Sequence, residues 1–255
     1  MTRLVAALAV VVTAAALVGC GADGGSNDAP GAAPAEAACD APAAAPDLPE
    51  DLAAVREAVV AEAGLAPAPA YEELVRACDQ LGATSAVVPV AWADRVPGPG
   101  DVPRAGFTTG PDLESRIEDE PVVWVDAARY PGEPTDVAFA NFDNARGTLA
   151  NGTQTPRQGD AIPNVCRPLE PVVARFGDGA LAGEVQPFVE CDGEARVWLV
   201  AAAYPDDGSR FRTWMIGQAL TEADLDALLG VYATFAVDPE HLPPVETPPL
   251  PPVPS

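Results

Sequence analysis

Lysine is absent from this chain. All 14 basic residues are arginine, and they face 38 acidic residues, for a formal charge of −24. Nucleic-acid binding rests on cationic side chains that neutralise phosphates, so a nucleic-acid partner is excluded. An anionic bilayer surface would not attract the chain either. Histidine is limited to His241, near the C-terminus. Ser26, Ser85, Ser115, Ser209 and Ser255 therefore have no imidazole base in the folded region, and a hydrolase of the serine–histidine type is not expected. No C-x-x-C pair occurs among the 5 cysteines. A zinc site needs clustered Cys or His, so no metal is assigned. There is no P-loop and no G-x-G-x-x-G after a strand, which leaves no nucleotide or other cofactor to expect.

Long hydrophobic runs are also missing. The longest, Leu4–Val18, spans 15 residues and is broken only by Thr13. A spanning helix needs roughly 20. With Arg3 in front, the run has the layout of a secretory signal. It closes on Leu17-Val18-Gly19-Cys20, which resembles a bacterial lipobox. The resemblance implies removal of residues 1–19 and a diacylglyceryl group on Cys20, which becomes the new N-terminus. Two acyl chains, at about 0.8 kcal/mol per buried CH₂, make a stable anchor. The expected location is the outer face of the cell membrane, held by lipid, with the charge keeping the chain soluble.

Four cysteines remain: Cys39, Cys78, Cys166 and Cys191. In an exported protein an even number reads as two disulfides. Three connectivities exist, and the sequential one, Cys39–Cys78 with Cys166–Cys191, is favoured. Each bridge would remove on the order of 3–4 kcal/mol of unfolded-state entropy.

Residues 20–46 are rich in Ala, Pro and Gly and read as a flexible tether, its far end pinned by Cys39. Residues 47–70 hold a helix and a linker. The helix covers 49–63, with Pro49 in its first turn, Leu52, Val55 and Val59 at helical spacing, and Gly64 as the stop. Tyr71–Cys78 stays open between helix and strand. Thr84–Trp92 reads as a strand, and Pro89 argues for an edge position because proline cannot donate to the ladder. Ala105–Thr109 and Val122–Arg129 read as strands, the second a central one. Asp112–Ile117 suggests a helical turn or two, Thr135–Ala150 a helix, and Asn151–Asn164 an exposed loop.

The last third carries the clearest pattern. Val172–Phe176, Glu184–Cys191, Ala195–Tyr204 and Phe211–Leu220 are predicted strands. Asp192-Gly193 and Asp207-Gly208 supply positive φ in the turns of an antiparallel meander. Thr221-Glu222-Ala223-Asp224 starts a helix with a capping-box pattern. Leu225, Leu228, Leu229, Tyr232 and Phe235 give that helix one apolar face, made to lie on a sheet. Residues 239–255 form a proline-rich tail. The fold class is α+β, an antiparallel sheet covered by helices.

The segment Val87-Val88-Pro89-Val90-Ala91-Trp92-Ala93-Asp94 resembles the opening of bacterial PsbP-like envelope domains. Ala105–Leu113, with its Gly110-Pro111-Asp112-Leu113 turn, follows in the same order. Tyr204–Ser209 and Thr221–Leu225 resemble the closing hairpin and helix. Cys166 and Cys191 match a cysteine pair common in these domains. The resemblance covers residues 71–238. It implies an α/β/α sandwich around a central antiparallel sheet, shared with the PsbP subunit of photosystem II, the Ran-binding Mog protein and LpqN-type lipoproteins. It also implies a non-catalytic role through protein or ligand contacts. The helix at 49–63 and Cys39 lie outside the pattern.

The remaining chemistry is sparse. Glu118-Asp119-Glu120 and Asp206-Asp207 are the densest acidic groups and read as solvated faces. Trp92, Trp124, Trp198 and Trp214 fill a core or line a pocket. Two functional expectations follow. One is a lipid-anchored, non-catalytic envelope adaptor with a filled core, whose partner is an envelope protein. The other is a carrier of a lipid or other small apolar ligand, with a cavity of several hundred Å³, roughly the usual pocket size. An enzyme would instead show acids converging in a cleft with shifted pKa values.

Overall fold

The computed structural model describes residues 39–92, 94–97, 105–110, 120–129, 166–207 and 209–244. Contacts divide the chain between Glu36 and Ala37, and the first unit lies outside the described residues. So do Cys20, the start of the tether, Ser26, Ser115, Glu118 and Asp119. The expected helix at 135–150, the turns at 112–117, the loop at 151–164 and the end of the tail lie outside them as well.

The described residues form a mixed α+β fold built on antiparallel sheets. The larger sheet runs β4 (Asp94–Pro97), β5 (Ala105–Gly110), β6 (Val122–Arg129), β11 (Phe211–Ala219), β10 (Val197–Pro205), β9 (Leu181–Val189) and β7 (Arg167–Pro168); β8 (Val172–Phe176) also pairs with β9. Every pairing in it is antiparallel. The last strands form the expected meander, and β6 joins it on the far side of β11, which puts Val122–Arg129 in the interior of the sheet. β10 is buried on both faces, as its near-continuous Val-Trp-Leu-Val-Ala-Ala-Ala run requires.

A second sheet corrects the expectation of a single one. Its order is β1 (Pro42–Ala43), β2 (Leu74–Cys78), β3 (Thr84–Pro89) and β12 (Ala236–Val237). Tyr71–Cys78, left open by its sequence, ends in strand β2. β3 is flanked on both sides, so Pro89 is not on an edge strand. It is tolerated because β12 reaches only Ser85 and Thr84, leaving the proline side of β3 without a ladder partner. Val90–Trp92 turns out of the strand as a short 3-10 helix.

Two α-helices lie among the described residues. α1 (Glu50–Ala63) buries Leu52, Val55, Val59 and Ala63, and Gly64 ends it with φ 64°, a left-handed stop that glycine adopts without steric cost. Pro49 is its N-cap and not a first-turn residue. The Asp51 carboxylate accepts the Arg175 N–H at 2.5 Å, so the helix start covers part of edge strand β8.

α2 (Glu222–Thr234) begins with a true capping box: the Thr221 hydroxyl accepts the Asp224 N–H at 3.2 Å, and the Asp224 carboxylate accepts the Thr221 N–H at 2.9 Å. Its burial extends beyond the single apolar face expected. Ala223, Gly230 and Ala233 are buried along with the leucines, because α2 lies between β3 of one sheet and β11 of the other. The small residues let the second layer approach.

Two apolar clusters result, one on each face of the larger sheet. The main one gathers both helices and the smaller sheet; the other holds Trp198, Phe188, Val200, Ile216 and the Cys166–Cys191 bridge. Cys39 is bonded to Cys78 and Cys166 to Cys191.

Two further boundaries differ from the sequence reading. Residues 39–46 are not free tether, since β1 pairs with β2 through Pro42↔Val75 and Ala43↔Leu74. Residues 239–244 are not free tail. Leu242 is 3% exposed, and Arg129 donates to its carbonyl at 3.1 Å and also to that of Pro239.

Candidate functional site

Between β1 and α1, residues 44–48 form a strap across the smaller sheet and α2. A groove of about 320 Å³ opens beside it. Ala45, Pro46 and Leu48 of the strap make one wall. Ala223, Ala227 and Gly230 of α2 make the facing wall, and Leu74, Val87 and Pro89 make the floor. Small side chains on α2 create the space. At Gly230 a Cβ would come within 3.3 Å of the Pro46 ring, so the strap rests directly on the glycine.

Three polar side chains border this apolar space, and each is engaged within the fold. Arg56 donates through Nη2 to Asp226 Oδ2 at 3.1 Å and through Nε to Asp226 Oδ1. The hydrogen bond to Asp226 is the main cause that holds the Arg56 guanidinium above its usual range. Glu222 adds a weaker contact at 4.0 Å.

Tyr71 donates its hydroxyl proton to Asp224 Oδ1 at 2.7 Å and accepts from Trp92 Nε1 at 3.2 Å. Its ring meets Trp92 edge-on at 5.9 Å. Burial, then the bond to Asp224, pushes the Tyr71 pKa up to about 12. The other oxygen of Asp224 accepts from Thr221 N and Oγ1, at 2.9 and 2.8 Å. The same carboxylate thus caps α2 and fixes the tyrosine on the groove wall.

Such a lining can hold an apolar group by exclusion of water. It places no nucleophile beside a base. Elsewhere, Ser85 accepts from Arg76 Nη1 at 3.3 Å, and His241 pairs with Asp238 at 2.8 Å on the surface. Asp206 pairs with Arg175, and Asp207 accepts the Ser209 N–H at 2.8 Å in the turn; that bonding to Ser209 lowers the Asp207 pKa. Among the described residues no three His, Cys, Asp or Glu side chains gather to hold a metal ion.

None of the four tryptophans lines the groove. Trp92 is fully buried in the main core. Trp198 is fully buried in the second cluster, stacked on Trp124 at 5.8 Å, and Trp214 packs beside them. Arg56, Tyr71, Asp226 and Gly230 were not marked by their sequence. They come from three distant segments and share no motif. The one legible signal was the Thr221–Asp224 cap, whose carboxylate turned out to orient Tyr71.

No protein-family profile matches this chain, and no curated protein matches it.

Proposed function

We propose that the chain is a lipid-anchored, non-catalytic binding protein of the outer membrane face, with a PsbP-like α/β/α sandwich, acting through the groove beside residues 44–48. The lipobox-like Cys20 supports the anchor. Burial on both faces of the larger sheet is compatible with the sandwich.

One observation carries the binding reading: apolar walls around about 320 Å³, bordered by polar groups that already satisfy one another. That volume sits at the small end of the usual range for a small-ligand pocket, roughly 300–1,000 Å³. A whole two-chain lipid is several times larger. The occupant is therefore one short neutral apolar group, such as an anchor side chain or short alkyl segment presented by a larger envelope partner. The second reading, a carrier of a free small apolar molecule, uses the same walls.

Naphthalene, a neutral probe of the right size, tests the groove by calorimetric titration. Saturable binding that is lost in Ala227→Phe, with unchanged circular dichroism, is the expected result. Binding that Ala227→Phe leaves intact would refute the assignment.

A further inference from the structure

We propose that Cys39–Cys78 is a thiol–disulfide exchange site and that its reduction releases the strap forming one wall of the groove. The second half of the proposal rests on the groove being the binding site. The two disulfides differ in access. Cys39 is exposed and Cys78 half-buried, whereas Cys166 is 3% and Cys191 0% exposed. An incoming thiolate reaches the first bridge and not the second. Exposed bridges are the ones prone to exchange.

The reductant is a dithiol, small or carried by a protein. Its thiolate attacks Sγ of Cys39, the more exposed of the two cysteines. The Cys39–Cys78 bond breaks, a mixed disulfide forms on Cys39, and Cys78 leaves as a thiolate that takes up a proton. The second thiolate of the reductant then attacks the mixed disulfide and frees Cys39, which is also protonated. The chain gains two electrons and two protons, and the dithiol becomes a disulfide.

Among the described residues, the pairing that holds the start of the strap is short. β1 has only two residues, and Pro42 has no N–H to donate. Beside that pairing stand the Asp40 N–H to the Arg76 carbonyl at 2.8 Å and the Arg76 N–H to the Ala41 carbonyl at 3.0 Å. The wall residues Ala45, Pro46 and Leu48 follow at once. Without the covalent bond this short pairing frays, and the groove loses that wall.

The test is graded dithiothreitol on the full chain isolated under oxidising conditions, followed by N-ethylmaleimide trapping and peptide mass spectrometry. Cys39 and Cys78 are expected to be alkylated at a reductant level at least about tenfold below that needed for Cys166 and Cys191. Hydrogen exchange in peptides covering 40–48 is expected to quicken by about tenfold or more, with β9 to β11 unchanged. The Cys39→Ser/Cys78→Ser variant is expected to show the same exchange pattern, and the reduced chain to bind naphthalene more weakly. Simultaneous reduction of both bridges overturns the exchange site. Selective reduction with unchanged exchange at 40–48 overturns the latch. If the oxidised chain fails to bind naphthalene, the groove reading falls, while hydrogen exchange still decides the latch.

Discussion

Gly217 and Leu228 form a close contact between helix α2 and the larger sheet. Gly217 lies on β11 opposite Leu199 and Val123, on the face toward the main core. A Cβ added there would lie well inside contact distance of Leu228 Cδ1, 3.0 Å from Cδ2 and 3.1 Å from the Val122 carbonyl oxygen. Carbon atoms pack best at about 3.5–4.0 Å. Leu228 is fully buried, so its methyl groups have no room to swing away. Gly217→Ala is therefore expected to cost about 1–3 kcal/mol as overpacking. Leu228→Ala alone should cost about 2–5 kcal/mol through lost transfer energy and the cavity left behind. Combined, the two changes relieve each other, because truncating the leucine removes the clash and the new methyl takes part of the vacated space. The double variant is expected to be more stable than the sum of the single effects by about 1–3 kcal/mol. Urea unfolding of the four proteins, with the denaturant slope unchanged, supplies the cycle. Additivity within about 0.5 kcal/mol would mean the two residues are not in contact, and the packing of α2 on β11 would be refuted.

Tyr71, pushed up to about 12, holds its proton more tightly folded than unfolded, where the value is near 10.0. Its contribution to stability is thus complete below about pH 10 and is lost as pH rises from about 10 toward about 12. Tyr71→Phe should reduce the alkaline slope, leaving the part that comes from Tyr232, whose pKa burial also raises. At neutral pH it should cost about 1–3 kcal/mol, since it takes one donor from Asp224 and leaves the indole N–H of Trp92 without its acceptor. Tyrosinate absorbance against pH, with denaturation at several pH values, checks both; an unchanged titration in the variant would show the assignment to be wrong. Cys20→Ala should move the chain from the membrane to the soluble fraction, and retention in the membrane would rule out the lipid anchor.

How much of this was legible depended on whether a feature is local. The meander could be read because apolar strand runs and Asp-Gly turns act over neighbouring positions; Asp192 and Gly193 do adopt positive φ, 55° and 79°, while Gly208 of the second turn lies outside the described residues. The capping box of α2 could be read for the same reason. Strand ends were less legible. β9 runs Leu181–Val189, where Glu184–Cys191 was expected, because its start is set by pairing with β8 and with the end of β10. The second sheet was hidden because its members are short and come from opposite ends of the folded region. Ala236–Val237 pairs with Thr84–Ser85 across most of the described chain.

By itself the sequence determined the acidic character, the lipobox-like start, the four remaining cysteines, the antiparallel meander and the capped helix after it. Each follows from composition or from interactions between near neighbours. Only the tertiary structure decided that α2 is held between two sheets and that residues 44–48 form a strap. It alone brought Arg56, Tyr71, Asp226 and Gly230 around one groove. The physical reason is that a groove exists where packing stops short of filling space. That depends on the fit of segments far apart in the chain, and no local pattern of side chains records it.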